Sequence, residues 1–304
     1  MRNVLTDNLL NEQFEKDGYV IIPFLDSEEV EELKKLYFDT LPNSGGNIKS
    51  DEIGAKESIS YDFTFIDKNI EYKQQVYDII TQRFKNHVDS YLENYKPIIA
   101  NFIRKKPKDG EVPLHQNWAF VDERKCTSVS IWCPLVDSNE QNGTLQVVPG
   151  SHKRFGEFRG PMIPWELNGI KDDIIKHHLK PMNLKAGEAV ILDDSIVHYS
   201  ALNLTDDLRL AIQLILIPEE EKSIHYHLDA ERNPNKIEAL EVDDDFYMQF
   251  NPWKKVKNKK IIKQISYKPF QLSIQNFEKR IYAKRIDEAS ENTSILQKLK
   301  SVFS

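Results

Sequence analysis

The sequence predicts a mainly β fold with flanking helices, in which antiparallel strands follow an α-helical N-terminal part. Up to about residue 95 the apolar residues recur at helical spacing, and from Pro97 onward they recur with a period close to two. Several short strands with few helices between them favour an antiparallel barrel or sandwich over a β-α-β sheet. A chain of 304 residues, 40% of them hydrophobic, could form two average domains or one elaborated barrel, and either could have a sizeable core.

Two helices are predicted before the strands. Asp26 and Glu29 have the spacing of an N-terminal capping pair, and the apolar residues that follow continue a helix over residues 27–40. A longer helix is predicted for residues 68–94, where a single apolar stripe is suited to pack on a sheet. Residues 43–58 contain two adjacent glycines and show no period, which predicts a mobile loop.

The predicted strands are apolar or alternating segments in the second part of the chain. They cover residues 98–104, 112–120, 128–135, 144–148, 189–193 and 208–217. Asn142-Gly143 is a strong tight-turn signal between two of them. The long interval at residues 153–180 predicts an insertion over the mouth of the barrel, and the tail shows weaker signals for a strand at 259–267 and for a final helix.

Composition and charge argue against several classes of protein. The formal net charge of −7 argues against a nucleic-acid partner, because phosphate binding requires clustered Lys and Arg, and the basic run at residues 254–263 is interpreted as solvated. The apolar run at residues 19–25 is too short to span a bilayer, and we see no signal-peptide core, so no membrane association is expected. Cys126 and Cys133 suggest neither a disulfide framework nor a zinc site, which favours a reducing cytoplasm.

His115, Asn117 and His198 are the candidate catalytic and metal-binding residues. Residues i and i+2 of a strand project from the same face, so His115 and Asn117 could bind one ion while Gln116 points away. Two imidazoles and one oxygen ligand are the set found in open-sided non-haem iron sites. In the usual site of this kind the middle ligand is a carboxylate, as in H-x-D or H-x-E, and here it is the neutral amide of Asn117.

Five segments resemble the phytanoyl-CoA dioxygenase family in order and spacing. They are FEKDGYVIIPF at 14–24, LHQNW at 114–118, NGTLQVVPGSH at 142–152, LKAGEAVILDD at 184–194 and HYS at 198–200. The resemblance implies a double-stranded β-helix, the jelly-roll fold of cupin-like proteins, that uses Fe(II), 2-oxoglutarate and dioxygen, usually to hydroxylate an unactivated carbon. Residues 1–218 are then expected to form the oxygenase domain, and residues 219–304 an extension packed on the same domain.

The cosubstrate residues follow from the same resemblance. Arg209 lies in a mostly aliphatic strand, where an inward-facing guanidinium would be costly unless an anion met it, and an outward-facing Arg209 is the alternative. The resemblance implies that Arg209 makes charge-assisted bonds to the far carboxylate of 2-oxoglutarate with help from Ser200, and that Gln116 and Trp132 lie near the cosubstrate. Five other histidines are interpreted as core or surface residues: His152, His177, His178, His225 and His227.

The identity of residue 117 bears on whether the predicted site can retain a metal ion. An asparagine in place of an aspartate removes one negative charge from the site, which should weaken metal retention. An amide oxygen is still a legitimate ligand for a hard metal, and water or a nearby carboxylate could replace a displaced Asn117. The candidate carboxylates, by sequence proximity alone, are Asp122, Glu123 and Asp194. Iron halogenases related by fold have a small residue at this position, whereas asparagine is larger and polar.

The preferred interpretation is a cytoplasmic Fe(II)- and 2-oxoglutarate-dependent dioxygenase that hydroxylates a small molecule. The alternative, from another class, is a catalytically degenerate member that binds a small molecule or a partner without turnover. A halogenase or another modified radical reaction is a weaker alternative. Acyl-CoA, carrier-protein thioester, amino acid and natural-product substrates all remain open, as does the oligomeric state, because a fold does not fix a function.

Overall fold

Two antiparallel sheets face each other at the centre of the fold. The computed structural model describes residues 2–48, 59–243, 245–251, 256 and 259–283. The larger sheet contains, in spatial order, β1 (Tyr19–Pro23), β8 (Glu188–Asp193), β5 (Val129–Pro134), β10 (Arg209–Pro218), β3 (Tyr95–Lys105) and β2 (Asp62–Phe63). The smaller sheet contains β4 (Val112–His115), β9 (His198–Ser200), β6 (Gln146–Val147) and β7 (Lys180–Pro181).

A third sheet and a set of helices surround this pair. The third sheet contains β11 (Ile224–Leu228), β12 (Lys236–Glu241) and β13 (Lys260–Ser266). The helices are α1 (Asn8–Asp17), α2 (Ser27–Thr40), α3 (Ile70–Tyr91), α4 (Lys171–His177), α5 (Phe246–Gln249) and α6 (residues 274–283). In the described ranges, no helix combines the length and apolar character that a membrane crossing requires.

The larger sheet separates a helical layer from the interior of the barrel. Successive strand residues face opposite sides of a sheet. Ile131 and Cys133 of β5 accordingly join the apolar core formed with α1, α2 and α3, where Phe84 is fully buried. Trp132, between them, faces the smaller sheet and belongs to the same cluster as Val147 of β6. The paired sheets form the jelly-roll, cupin-like fold that the resemblance implied, and this prediction is confirmed.

The two predicted N-terminal helices are confirmed. The side chain of Asp26 accepts from the Glu29 amide, and the Glu29 side chain accepts from the Asp26 amide, so α2 begins with a complete capping box. In α3 the predicted apolar stripe is buried, and Val76 and Ile80 are fully shielded by the larger sheet and its neighbouring helices. Of the loop predicted at 43–58, residues 49–58 lie outside the described residues.

All six predicted strands are present, and two of them are shorter than expected. The predicted ranges correspond to β3, β5, β8 and β10 with small differences at their ends, whereas β6 covers only Gln146–Val147 of residues 144–148; the weak signal in the tail is β13. The segment predicted to be extended over residues 112–120 is β4, and this strand ends at His115. Beyond it Gln116 turns its amide to the carbonyls of Phe155 and Ser195, so contacts with other segments replace strand pairing. Because β4 ends at His115, the rule that residues i and i+2 of a strand share one face does not determine where Asn117 lies relative to His115.

The turn at Asn142-Gly143 connects the two facing sheets. Gly143 has a φ of 71°, in the left-handed region that favours glycine. A Cβ on Gly143 would lie 2.2 Å from the carbonyl oxygen of Ala201, so no larger residue fits without displacing the neighbouring chain. The turn leads from β5 of the larger sheet to β6 of the smaller one, which makes it a corner of the barrel and not a hairpin within one sheet.

The described residues after 218 pack on the barrel. Phe277 of α6 is fully buried and stacks on Phe155, with ring centroids 4.9 Å apart and an interplanar angle of 20°. Leu272 belongs to the same apolar cluster as Leu114 of β4. These contacts support the expectation that the extension packs on the same domain. The predicted final helix is described only over residues 274–283, and residues 284–304 lie outside the described part of the chain.

The contact of Phe277 with Phe155 yields a stability prediction. We expect Phe277→Ala to lower the free energy of unfolding by about 3–5 kcal/mol, the usual cost of deleting a buried aromatic ring. Leu9→Ala, at a side chain that is 76% exposed, is the control and should change it by less than about 0.5 kcal/mol. Chemical denaturation measures both. Equal small losses in the two variants would show that α6 does not stabilise the barrel.

Candidate metal and cosubstrate site

Two histidines lie side by side on neighbouring strands of the smaller sheet. The register of β4 and β9 pairs His115 with His198, and their ring centroids are 4.1 Å apart. The Nδ1 atom of His115 is 2.7 Å from the carbonyl oxygen of Pro113, and that of His198 is 2.9 Å from the carbonyl oxygen of Ile196. Because a carbonyl oxygen only accepts, each Nδ1 donates its hydrogen and each Nε2 keeps a lone pair that can bind a metal ion.

Both imidazoles are held in the neutral form. Burial lowers the pKa of His115, and burial together with the adjacent His115 ring lowers the pKa of His198 well below its usual value. A metal ion binds the neutral imidazole, so protonation does not compete with it here. The pair thus has the tautomer and the protonation state that a metal ion requires.

Asn117 lies just beyond β4 and is the third predicted ligand. Its side-chain nitrogen donates to Asp194 Oδ1 at 2.8 Å and to Ser130 Oγ at 3.0 Å. In the described part of the chain no group donates to its amide oxygen, and Asn117 lines the same cavity as His115 and His198. The amide oxygen is therefore the atom of Asn117 that is left for a cation.

Only one of the three candidate carboxylates contacts this amide. Asp122 pairs with Arg124 at 2.8 Å, and Glu123 is in a buried ion pair with Arg159, also at 2.8 Å. Asp194 is completely buried, and burial raises its pKa to about 7 against the opposing effect of its hydrogen bonds. Among the described residues, no group of three or more His, Cys, Asp or Glu side chains could hold a metal ion. A third protein ligand beside the two histidines would therefore have to be of another residue type, and Asn117 is the candidate that lines the same cavity.

Arg209 lines the same cavity from β10, so the outward-facing alternative is wrong. Its side chain is 1% exposed, its Nη2 is 3.4 Å from Ser200 Oγ, and its Nε and Nη1 have no hydrogen-bond partner in the described structure. Its guanidinium carbon is 5.5 Å from the ring centroid of Trp132. Burial lowers the pKa of Arg209 to about 9. A buried guanidinium with two unpaired nitrogens is suited to bind an anion.

Lys105 is a second buried basic residue beside Arg209, and the sequence did not predict it. The two residues pair across β3 and β10. Lys105 Nζ donates to Ser200 Oγ at 2.5 Å and to the carbonyl oxygens of Ser200 and Ala201. Burial, and then repulsion from Arg209, lowers its pKa to about 6. A cation at the end of an apolar strand is the signal that singled out Arg209, and it could have found Lys105 as well.

Gln116 is engaged by the protein itself. Its Nε2 donates to the carbonyl oxygens of Phe155 and Ser195 at 2.9 and 2.6 Å, and its Oε1 accepts from Trp165 Nε1 at 2.8 Å. Both amide hydrogens are used, so this geometry does not favour the predicted contact of Gln116 with a cosubstrate. The contacts instead fasten the 153–180 segment to the end of β4.

The candidate ligands lie where two cavities meet. The inner cavity has a volume of about 510 Å³ and is lined by both histidines, Asn117 and Arg209, with Trp132 in its wall. The outer cavity has a volume of about 850 Å³ and shares His115 with the inner one. Residues 153–171 contribute much of the outer wall, so the predicted insertion lines the approach to the histidines.

Three of the remaining histidines are placed away from the ligand set. His225 and His227 are buried in the third sheet, with ring centroids 6.5 Å apart, and burial lowers the pKa of His225 to about 3. His152 is buried, and its Nε2 is 3.0 Å from the carbonyl oxygen of Glu15. None of the three lines the inner cavity.

The fold is the cupin-like fold of 2-oxoglutarate-dependent oxygenases. The non-heme alpha ketoglutarate dependent carbocyclase SnoK from nogalamycin biosynthesis aligns with a TM-score of 0.56 and 17% identity, over 83% of this chain and 94% of that one. The epimerase SnoN in complex with Fe³⁺, alpha ketoglutarate and nogalamycin RO aligns with a TM-score of 0.54 and 18% identity, over 87% and 94%. At such identity these likenesses show the fold alone.

Residues 14–211 match the phytanoyl-CoA dioxygenase (PhyH) family, and the chain belongs to this family. The phytanoyl-CoA dioxygenase domain-containing protein 1 homolog of Dictyostelium discoideum is 30% identical over 169 residues, which are 53% of this chain and 58% of that protein. Phytanoyl-CoA dioxygenase 1 of Oryza sativa subsp. japonica is 31% identical over 137 residues, which are 40% and 45%. The chain thus spans about half the length of the curated relatives it matches.

The unpaired guanidinium yields a second stability prediction. Replacing Arg209 by methionine removes two buried unpaired nitrogens and keeps most of the side-chain volume, so we expect the ligand-free protein to become more stable by about 1–3 kcal/mol. Thermal and chemical unfolding in the absence of any carboxylate buffer measure the change. A loss of stability would mean that Arg209 has a structural partner and is not held open for a ligand.

Proposed function

We propose that this chain is an Fe(II)- and 2-oxoglutarate-dependent dioxygenase that hydroxylates a small molecule. The observation that carries the proposal is the shared inner cavity, in which two neutral histidines and the Asn117 oxygen lie together with the unpaired guanidinium of Arg209. Family membership supports a dioxygenase-type function. A metal site next to a buried anion site is what a cosubstrate with two carboxylates needs.

The residues of the inner cavity divide into two tasks. His115, His198 and Asn117 would hold the iron through two Nε2 atoms and one amide oxygen. Bound iron, with 2-oxoglutarate and dioxygen, supplies the oxidising power that breaks a C–H bond of the substrate. Arg209, positioned by the hydroxyl of Ser200, would bind the far carboxylate of 2-oxoglutarate and so fix the direction in which the cosubstrate lies.

Several features assist these tasks. Trp132 forms an apolar wall beside Arg209, which keeps water from the ion pair and strengthens it. The Ser200 hydroxyl accepts from Lys105 and donates to the Gly143 carbonyl oxygen at 2.7 Å, so its position beside Arg209 is fixed before the cosubstrate arrives. The substrate would enter through the outer cavity and reach the metal site past His115. In this proposal Gln116 shapes the site and does not contact the cosubstrate.

The proposed location and substrate class rest on the cysteines, on the net charge and on proteins of similar fold. Cys126 and Cys133 are both free and buried, which is compatible with the proposed cytoplasmic location. The net charge of −7 supports a small-molecule substrate over a nucleic acid. The carbocyclase and the epimerase, which are similar in fold, come from nogalamycin biosynthesis. We therefore include natural products among the candidate substrates, together with acyl thioesters and amino acids.

The second candidate function is a binding protein without turnover, and Asn117 is the observation that favours it. A neutral amide holds a divalent cation less strongly than a carboxylate does, so the chain could bind a small molecule in the inner cavity and retain no iron. The halogenase alternative is disfavoured, because that chemistry needs an open position at residue 117. Here the side chain of Asn117 occupies that position, held by Asp194 and Ser130.

An anaerobic titration separates these functions. Fe(II) is added with and without 2-oxoglutarate, bound iron is counted, and the visible absorption of the iron–2-oxoglutarate chelate is recorded. Succinate release is then measured after air is admitted, with candidate substrates. The dioxygenase proposal requires both iron binding and the chelate absorption in the wild type, and their loss in His198→Ala. Wild-type protein that binds 2-oxoglutarate but no iron would support the binding protein.

The cosubstrate role of Arg209 yields the third prediction. We expect Arg209→Met to weaken 2-oxoglutarate binding by about 10- to 150-fold, the equivalent of about 1.5–3 kcal/mol for hydrogen bonds to a charged group. Arg104→Met is the matched control, since Arg104 is the neighbour of Lys105 on β3 but pairs with Asp62 and does not line the cavity. Isothermal titration with 2-oxoglutarate and a redox-inert metal gives both affinities. Equal affinities for the two variants would remove Arg209 from the cosubstrate site.

A further inference from the structure

We propose that Asp194 is a positioning residue that fixes which end of the Asn117 amide faces the inner cavity. An amide has one end that attracts a cation, the oxygen, and one that repels it, the NH₂ group. In a neutral ligand the orientation therefore decides whether a metal ion is bound. This inference rests on the proposed function and names the residue that lets an asparagine serve at that position.

The contacts of Asp194 leave the amide one favourable orientation. Asp194 Oδ1 accepts from Asn117 Nδ2 at 2.8 Å and from Ser130 Oγ at 2.6 Å, and Ser130 Oγ itself accepts from Asn117 Nδ2 at 3.0 Å. The hydroxyl hydrogen of Ser130 is used on the carboxylate, so Ser130 cannot donate to the amide as well. If the amide turned over, its oxygen would face two acceptors and its NH₂ group would lose both of these partners.

The position of Asp194 shows that it acts through Asn117. Its side chain is 0% exposed and does not line the inner cavity, whereas Asn117 does. The main chain of Asn117 is held as well, because its carbonyl oxygen accepts from Arg159 Nε at 2.6 Å. With the backbone and the NH₂ group both held, the amide oxygen is the polar atom of the side chain that remains for the cavity, which His115 and His198 also line. Asp194 follows β8 and precedes His198, so one segment carries this carboxylate and the second histidine.

The same contact changes what an aspartate at position 117 would do. In Asn117→Asp the new carboxylate would meet Asp194 at hydrogen-bond distance. A carboxylate has no N–H to donate, so the side chain at position 117 would face Asp194 Oδ1 without a hydrogen between the two oxygens, would be repelled and would lose the native orientation. Restoring the common ligand type therefore requires a second change at position 194. The double variant Asn117→Asp with Asp194→Asn exchanges the two groups and keeps one hydrogen bond between an amide and a carboxylate.

The test is a four-protein comparison of metal affinity. Wild type, Asp194→Asn, Asn117→Asp and the double variant are titrated anaerobically with Co(II), and the d–d absorption of the bound metal is recorded. Asp194→Asn should bind Co(II) about 10- to 100-fold more weakly than the wild type, as is usual when a partner of a metal ligand is removed. The double variant should recover wild-type affinity or exceed it, and Asn117→Asp should bind more weakly than the double variant. A purely structural role for Asp194 would not produce this rescue.

Controls keep the outcomes distinct. Thermal melting of the metal-free proteins shows whether each variant is folded, and Asp122→Asn, whose side chain pairs with Arg124, should bind Co(II) as the wild type does. Ser130→Ala keeps the carboxylate and should lose less affinity than Asp194→Asn. Wild-type affinity and spectrum in folded Asp194→Asn, or no recovery in the folded double variant, would overturn the positioning role while leaving the proposed function intact. A wild type that binds neither Co(II) nor Fe(II) would overturn both.

Discussion

Antiparallel pairing of two short strands, β4 and β9, is the constraint on which the site depends. It sets His115 opposite His198 and leaves both Nδ1 atoms against carbonyl oxygens two residues earlier in the chain. Because these carbonyl oxygens take the imidazole hydrogens, no other side chain is needed to choose the tautomer. Burial between the sheets then keeps both rings neutral. Strand register and main-chain acceptors thus place two neutral imidazoles side by side, each with its Nε2 lone pair available.

Two basic side chains lie next to each other in the interior of the barrel. Arg209 and Lys105 pair where β10 meets β3, and the charge of Arg209 helps to lower the pKa of Lys105. Ser200 lies between them and contacts both side chains, yet it offers only a neutral hydroxyl. Within the described ranges no carboxylate forms an ion pair with Arg209, and such a charge is costly in a buried position. An anion bound at Arg209 relieves that cost, so its burial favours ligand binding over a permanent internal ion pair.

Much of the fold and half of the site could be predicted from the sequence. The capping pair at Asp26 and Glu29 acts over one helical turn, so its spacing alone was sufficient. Arg209 could be predicted as a site residue because a charged side chain is unusual in a strand that is otherwise mostly aliphatic. The end of β4 could not be predicted, since it depends on carbonyl groups of Phe155 and Ser195, far away in the chain. Lys105 is the last residue of β3. Its four acceptor oxygens belong to Gly143, Ser200 and Ala201, which only the folded chain brings near it, so its burial could not be predicted.

Which of the three candidate carboxylates contacts Asn117 could not be predicted from the sequence. Asp122 and Glu123 are nearest to Asn117 in the chain, and each is taken by an arginine, whereas Asp194 reaches the amide from the end of β8. Proximity along the chain could name all three carboxylates but could not rank them, because the packing of β8 against β5 decides which one contacts the amide. Asp194 contacts Asn117 and does not line the inner cavity itself. In the proposed role, Asp194 acts on the cavity only by orienting the amide of Asn117. A comparison of this site with others of its family therefore has to consider residues 117 and 194 together.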